Sequence, residues 1–241
     1  VRKVSILYHR EKGPPTPNFG KFSQMLRDNA LAKSTFPREN VADQHGGVGM
    51  KMCFVCDALE KLQEIEQLDN SKKVSTDGSS ILINQSVFFG LIFTIDILVF
   101  ELYSILDYFA LELSQIFGLK VKGDEGLEDI QYFMQLKKSV GIDPQIKQKV
   151  EALIKQRWFN YFLHLRNRIT HRLPVSVGSL VTSKDSQIAS IEFAFLPDNP
   201  DQIKPTFNLK LNPTTEAKKW LEGIFAFVND VCGDLIVLLS N

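Results

Sequence analysis

The stretch Val87–Phe117 does most to limit how this chain can fold. It is the most apolar part of the sequence, yet Asp96, Glu101, Asp107 and Glu112 interrupt it at every second turn or so of a helix. Its opening uncharged run, Val87–Ile95, falls far short of the roughly 20 residues that a membrane span requires. The stretch therefore reads as a central helix from about Gln85 to Phe117, buried against other helices and capped by Gly118. Asp96 and Asp107 return to nearly the same face of that helix, and buried carboxylates need partners.

Upstream, Val4, Ile6 and Tyr8 alternate as in a short strand, and Gly13-Pro14-Pro15 with Pro17 breaks it. Lys21–Lys33 suggests a short helix. Pro37–Gly49 is polar and contains Gly46-Gly47, so a loop is expected. Met50–Leu68 is helical, with Leu59, Leu62, Ile65 and Leu68 on its apolar side. A polar loop follows over Asp69–Ser80.

Downstream, Leu127–Val140 reads as a helix. Asp143-Pro144 opens the next one as N-cap and first-turn proline, and it is expected to run unbroken to just before Pro174. The period then changes to two. Val175 and Val177, then Ile191, Phe193 and Phe195, then Phe207, Leu209 and Leu211 alternate, which predicts two or three antiparallel strands. Asn212-Pro213 launches a last helix, Glu216–Leu239, with a one-sided apolar stripe.

The expected fold is mainly α: a bundle of four or five long helices with a small antiparallel β insertion, at about 174–212, before the last helix. Residues 1–80 form an N-terminal region of short helices and loops, packed on or preceding a helical domain at 81–241.

Composition narrows the function classes. The formal net charge is zero. A chain-wide basic field for long duplex nucleic acid is absent, while a local basic patch stays open. Cys53, Cys56 and Cys232 do not make a secreted disulfide framework. Cys53-Phe54-Val55-Cys56 is formally C-x-x-C, but it lacks the second ligand pair of a zinc site, so a core or helix-face role is expected. Val1–Lys12 scatters charges and has no apolar block, so no signal peptide is expected. Together these readings predict a cytoplasmic protein with no membrane partner, no cofactor and no metal.

The polar end of the helix before Pro174 is the candidate site. It reads Trp158-Phe159-Asn160-Tyr161-Phe162-Leu163-His164-Leu165-Arg166-Asn167-Arg168-Ile169-Thr170-His171-Arg172. Asn167 and His171 are one turn apart and share a face, with His164 a further turn back. Arg166 lies about 140° from His171 on ideal geometry, but its side chain is long. Arg offers a planar fork for phosphate oxygens, His moves a proton near neutral pH, and Asn orients either one. The bare spacing of an Arg followed by a His is uninformative here, because Arg2 to His9, Arg38 to His45 and Arg157 to His164 satisfy it too. Arg-Asn-x-x-x-His is tighter and arises by chance in only about 1% of chains of this size.

Arg166-Asn167-x-x-x-His171 resembles the R-x(4–6)-H motif of HEPN domains, placed late in a helical chain after a long apolar helix. The likeness covers roughly Gln85–Asn241. It implies a homodimer with two motifs facing across the interface, and a metal-independent endoribonuclease, as in toxin or defence systems. In such a site the 2′-OH attacks the adjacent phosphate and leaves a 2′,3′-cyclic phosphate. His171 would be general acid or base, Arg166 would stabilise the transition state, and Asn167 would position either group. Arg168 and Arg172 would bind the RNA backbone. Asp96, Asp107 and His164 are candidates for supporting them.

Two other readings stand beside it. The family also contains catalytically silent modules that bind RNA, a nucleotide or a partner protein. Cations at a helix C-terminus are also favourable for purely electrostatic reasons.

Overall fold

The computed structural model describes residues 16–31, 38–76, 81–119, 132–171, 175, 177–184, 187–202 and 204–240. The strand expected at Val4–Tyr8 lies outside the described residues, as does the start of the helix expected at Leu127–Val140. In chain order the described elements are α1 (Pro17–Leu31), α2 (Arg38–Gln67), α3 (Asn70–Lys73), β1 (Val74–Thr76), β2 (Ile81–Ile83), α4 (Gln85–Ile116), α5 (Tyr132–Leu136), α6 (Pro144–Ile154), α7 (Arg157–His171), β3 (Gly178–Lys184), β4 (Gln187–Phe195) and α8 (Pro213–Ser240). Among the described residues, eight helices and two separate two-stranded hairpins correct the expected fold of four or five long helices with one β insertion.

Three local causes account for the difference. The single helix expected from Asp143 onward is two, α6 and α7. Asp143 caps α6 by accepting from the Gln145 and Ile146 amides. Lys155 ends it, and the Gln156 carbonyl accepts from the Phe159 and Asn160 amides, both at 3.1 Å, to start α7. An apolar rhythm carries across so short a turn, so periodicity does not reveal it.

The loop expected at Pro37–Gly49 falls largely inside α2. A Cβ at Gly47 would come within 2.9 Å of the Tyr108 ring, so that glycine lets α2 lie close against α4. Burial of Val48 and Met52 beside it outweighs the helix cost of about 1 kcal/mol per glycine.

The third strand expected at Phe207–Leu211 does not form. β3 and β4 pair antiparallel from Gly178↔Phe195 to Lys184↔Gln187 with two register shifts, and beyond them a single bridge joins Leu196 to Leu211. The Asp198 carboxylate organises the chain between. It accepts from the Thr206 hydroxyl and from the Asn208 and Leu209 amides. A side chain thus replaces the ladder that alternation predicts.

α4 is the axis of the core. Asn84 caps it, accepting from the Ser86 and Val87 amides. At the other end the Leu119 amide donates to the Ser114 carbonyl at 2.7 Å, while Gly118 takes φ +60°, the left-handed turn that glycine tolerates best. Leu98, Leu102, Leu106 and Phe109 of α4 are fully enclosed. Phe22 of α1, Met52 of α2 and Ile224 of α8 share that core. Phe227 meets Phe109 and Phe133 edge-on at 6.2 and 5.6 Å between ring centres. α4 and α8 are also long and apolar enough to cross a membrane by length and composition, and half of α4's most apolar stretch is buried in the fold.

Candidate functional site

The polar residues of α7 divide between two sides of the helix. Arg166 and Arg168 project about 160° apart on ideal geometry, and their partners agree. Arg166 points to α4 and is 8% exposed. Its guanidinium lies 4.6 Å from the centre of the Tyr103 ring, and its Nη1 donates to Asn167 Oδ1 at 3.4 Å. A cation over an aromatic face in so enclosed a place contributes about 1–2 kcal/mol.

Asp107 belongs to the same group. Burial pushes its carboxyl up to about 6, against the opposing pull of the Phe133 amide, which donates to Oδ1 at 2.9 Å, and of the Arg166 charge. Burial also raises the Tyr103 hydroxyl, with the nearby Asp107 charge adding and Arg166 opposing. Asp96, three turns earlier, accepts from the Val175 amide at 3.2 Å, and burial raises its carboxyl. The two aspartates of the α4 stripe therefore hold different parts of the motif region. Asp107 accepts from Phe133 and feels the Arg166 charge, and Asp96 accepts from Val175, four residues beyond His171.

The far side of α7 serves another purpose. The Tyr161 hydroxyl donates to the Pro197 carbonyl at 2.7 Å. Arg168 Nη1 donates to the Pro200 and Gln202 carbonyls at 2.9 and 2.7 Å. His164 Nδ1 meets the Asp201 carboxylate at 2.5 Å. These three latch the loop after β4 onto α7, so Arg168 and His164 stand apart from Arg166. His171 is the last residue of α7, and its side chain lies outside the described residues, as does Arg172.

Tyr103 is the site residue that sequence reading missed. Its signal was present: Asp96, Phe100, Tyr103 and Asp107 step along one face of α4 at alternating four- and three-residue intervals. Cys53 and Cys56 are half-buried thiols on α2, and burial pushes the Cys232 thiol up. Among the described residues, no group of three His, Cys, Asp or Glu side chains is placed to hold a metal ion.

A second polar cluster lies elsewhere in the core. His45 of α2 is 4% exposed and Glu112 of α4 is 0% exposed. His45 Nδ1 and Glu112 Oε1 are 2.9 Å apart, and His45 Nε2 is 2.6 Å from the Ser23 hydroxyl oxygen of α1. That hydroxyl donates to the Phe19 carbonyl at 2.9 Å, and the Phe19 ring stacks on His45 at 4.0 Å. Serine has one proton and a carbonyl only accepts, so His45 Nε2 carries a hydrogen for Ser23. His45 and Glu112 then share one further proton. Burial raises the Glu112 carboxyl, while the bond and charge of His45 pull it back.

The Asp107 shift has a measurable consequence. A carboxyl whose folded value lies above its ordinary 3.8 contributes stability that is fully present below that value and is lost as pH rises through about 6. Wild-type protein should therefore lose on the order of 2–3 kcal/mol between pH 4 and 6 relative to Asp107→Asn, whose side chain keeps the acceptor for Phe133. Urea denaturation of both proteins across that range reads the difference. Parallel stability curves would refute a buried, neutral-leaning Asp107.

Compared with protein-family models, with curated proteins and with solved structures, the chain matches none.

Proposed function

We propose that this protein is a metal-independent endoribonuclease of the HEPN type, acting as a homodimer. The observation that carries the reading is the seating of Arg166. The Tyr103 ring and Asn167 Oδ1 meet the guanidinium on the helix that ends in His171, and its charge acts on the nearby Asp107 carboxyl. A cation already oriented and largely desolvated needs little reorganisation to stabilise charge on a phosphate in flight.

In this reaction a base takes the proton of the RNA 2′-OH as that oxygen attacks the neighbouring phosphorus. The bond from phosphorus to the 5′-oxygen breaks, and the departing oxygen takes a proton. The products are a 2′,3′-cyclic phosphate and a 5′-OH. His171 is assigned the proton transfer, Arg166 the phosphorane charge and Asn167 the orientation of either. Arg172 remains a candidate for backbone contact, whereas Arg168 is committed to the loop after β4.

A second reading is a catalytically silent module that binds RNA, a nucleotide or a partner protein, and the low exposure of Arg166 favours it. Purified protein incubated with single-stranded RNA in excess EDTA separates the two. The enzyme reading expects fragments ending in 2′,3′-cyclic phosphate, with cleavage lost in His171→Ala. Wild-type protein that leaves every RNA intact would sink it.

A further inference from the structure

We propose that the groove between α6 and α8 is a binding site for a small organic cation, an ammonium group carried on an aryl-alkyl body. The groove is separate from the candidate site described above. Trp158, at the start of α7, lies about 20 Å along that helix from His171. Its occupancy is therefore independent of any ribonuclease activity.

The groove has a volume of about 290 Å³, at the small end of the range for ligand sites. Small residues keep it open: Ala152 of α6, with Gly223 and Ala226 of α8, carry at most a methyl group. A Cβ at Gly223 would also overlap the benzo edge of the Trp158 ring. The indole is thus seated against α8, and the buried Phe159 ring meets it edge-on at 5.7 Å between centres. Leu153 and Phe227, each 7% exposed, form an apolar floor. Trp158 itself is only half-buried, which leaves part of its surface to the groove. An aromatic wall over an apolar floor suits a flat apolar body of few atoms.

The charges stand at the other end. From Gly223 to Asp230, α8 rises about 10 Å. The charged lining residues are Lys149 and Asp230. Lys149 Nζ lies 2.6 Å from Asp234 Oδ2 and donates to the Asp230 carbonyl at 3.2 Å. Asp234 therefore matches the lysine, and the exposed Asp230 carboxylate is the surplus charge. An anion would meet that carboxylate and a lysine already paired. A cation is attracted at both ends, because an indole face also favours an ammonium group. The separation of wall and carboxylate fits an aryl ring joined to an ammonium by three carbons.

Trp158 reports on the groove, since the chain has two tryptophans and Trp220 is 1% exposed. Titration with phenylpropylammonium, followed by tryptophan emission, should saturate with a Kd of about 1 mM. The neutral isostere phenylpropanol should bind about five-fold more weakly, the gain of one exposed ion pair. Asp230→Asn should bind the two compounds alike. Ala226→Leu, and independently Ala152→Leu, should fill the groove from exposed helix positions and abolish binding with little change in Tm. Wild-type emission that shows no saturable change up to about 10 mM ligand overturns the proposal. So does phenylpropanol binding as tightly as the ammonium, phenylbutyrate binding more tightly than either, or full binding to both leucine variants.

Discussion

On the proposed ribonuclease reading, Arg166→Lys should lower RNA cleavage about 100-fold with little change in KM, while the protein stays folded. Lysine keeps the charge over the Tyr103 ring, and its flexible stem fits the space. It lacks the planar fork that places two donors on phosphate oxygens at once. The loss therefore falls on the transition state rather than on substrate binding. Arg168→Ala is the matched control two residues away. Its guanidinium is spent on the Pro200 and Gln202 carbonyls. Removing it should cost about 2 kcal/mol of stability, through two charge-assisted bonds, and change cleavage only a few-fold. Steady-state kinetics and urea midpoints of both variants decide the matter. Equal losses of cleavage at the two positions would mean that the two sides of α7 do not have separate roles.

Glu112→Ala should be among the most damaging single changes, at about 3–5 kcal/mol. It removes the partner of His45 Nδ1 in a place closed to water, and the imidazole cannot swing out because Phe19 is stacked on it. Three helices lose a common tie, since Ser23, His45 and Glu112 stand on α1, α2 and α4. Glu112→Gln should cost much less, because the carboxamide can donate to Nδ1 while Nε2–H still serves Ser23. Chemical denaturation monitored by tryptophan fluorescence reads both variants. An alanine variant as stable as the glutamine variant would show that the pair is not a working tie.

Much of the backbone plan was readable because its signals are local. Asp143-Pro144 and Asn212-Pro213 mark helix starts by cap chemistry, and Gly118 marks an end by its left-handed turn. Where the expectation failed, the deciding contact left no mark on the apolar periodicity. Gly47 sits inside α2 where the Tyr108 ring of α4 leaves no room for a Cβ, and the chain at 206–209 folds onto the Asp198 carboxylate instead of forming a strand.

The candidate site divides the same way. Arg166, Asn167, His171 and the paired aspartates of α4 stand out in the chain by residue type and helical spacing, because both properties are one-dimensional. Tyr103 under Arg166, the diversion of Arg168 and His164 to the loop, and the Ser23–His45–Glu112 tie belong to tertiary structure alone. The sequence by itself therefore determined which side chains on each helix carry polar chemistry. Only the packing of α4 against α7 and α2 decided which of them meet, because a helix fixes the directions of its side chains but not what stands opposite them.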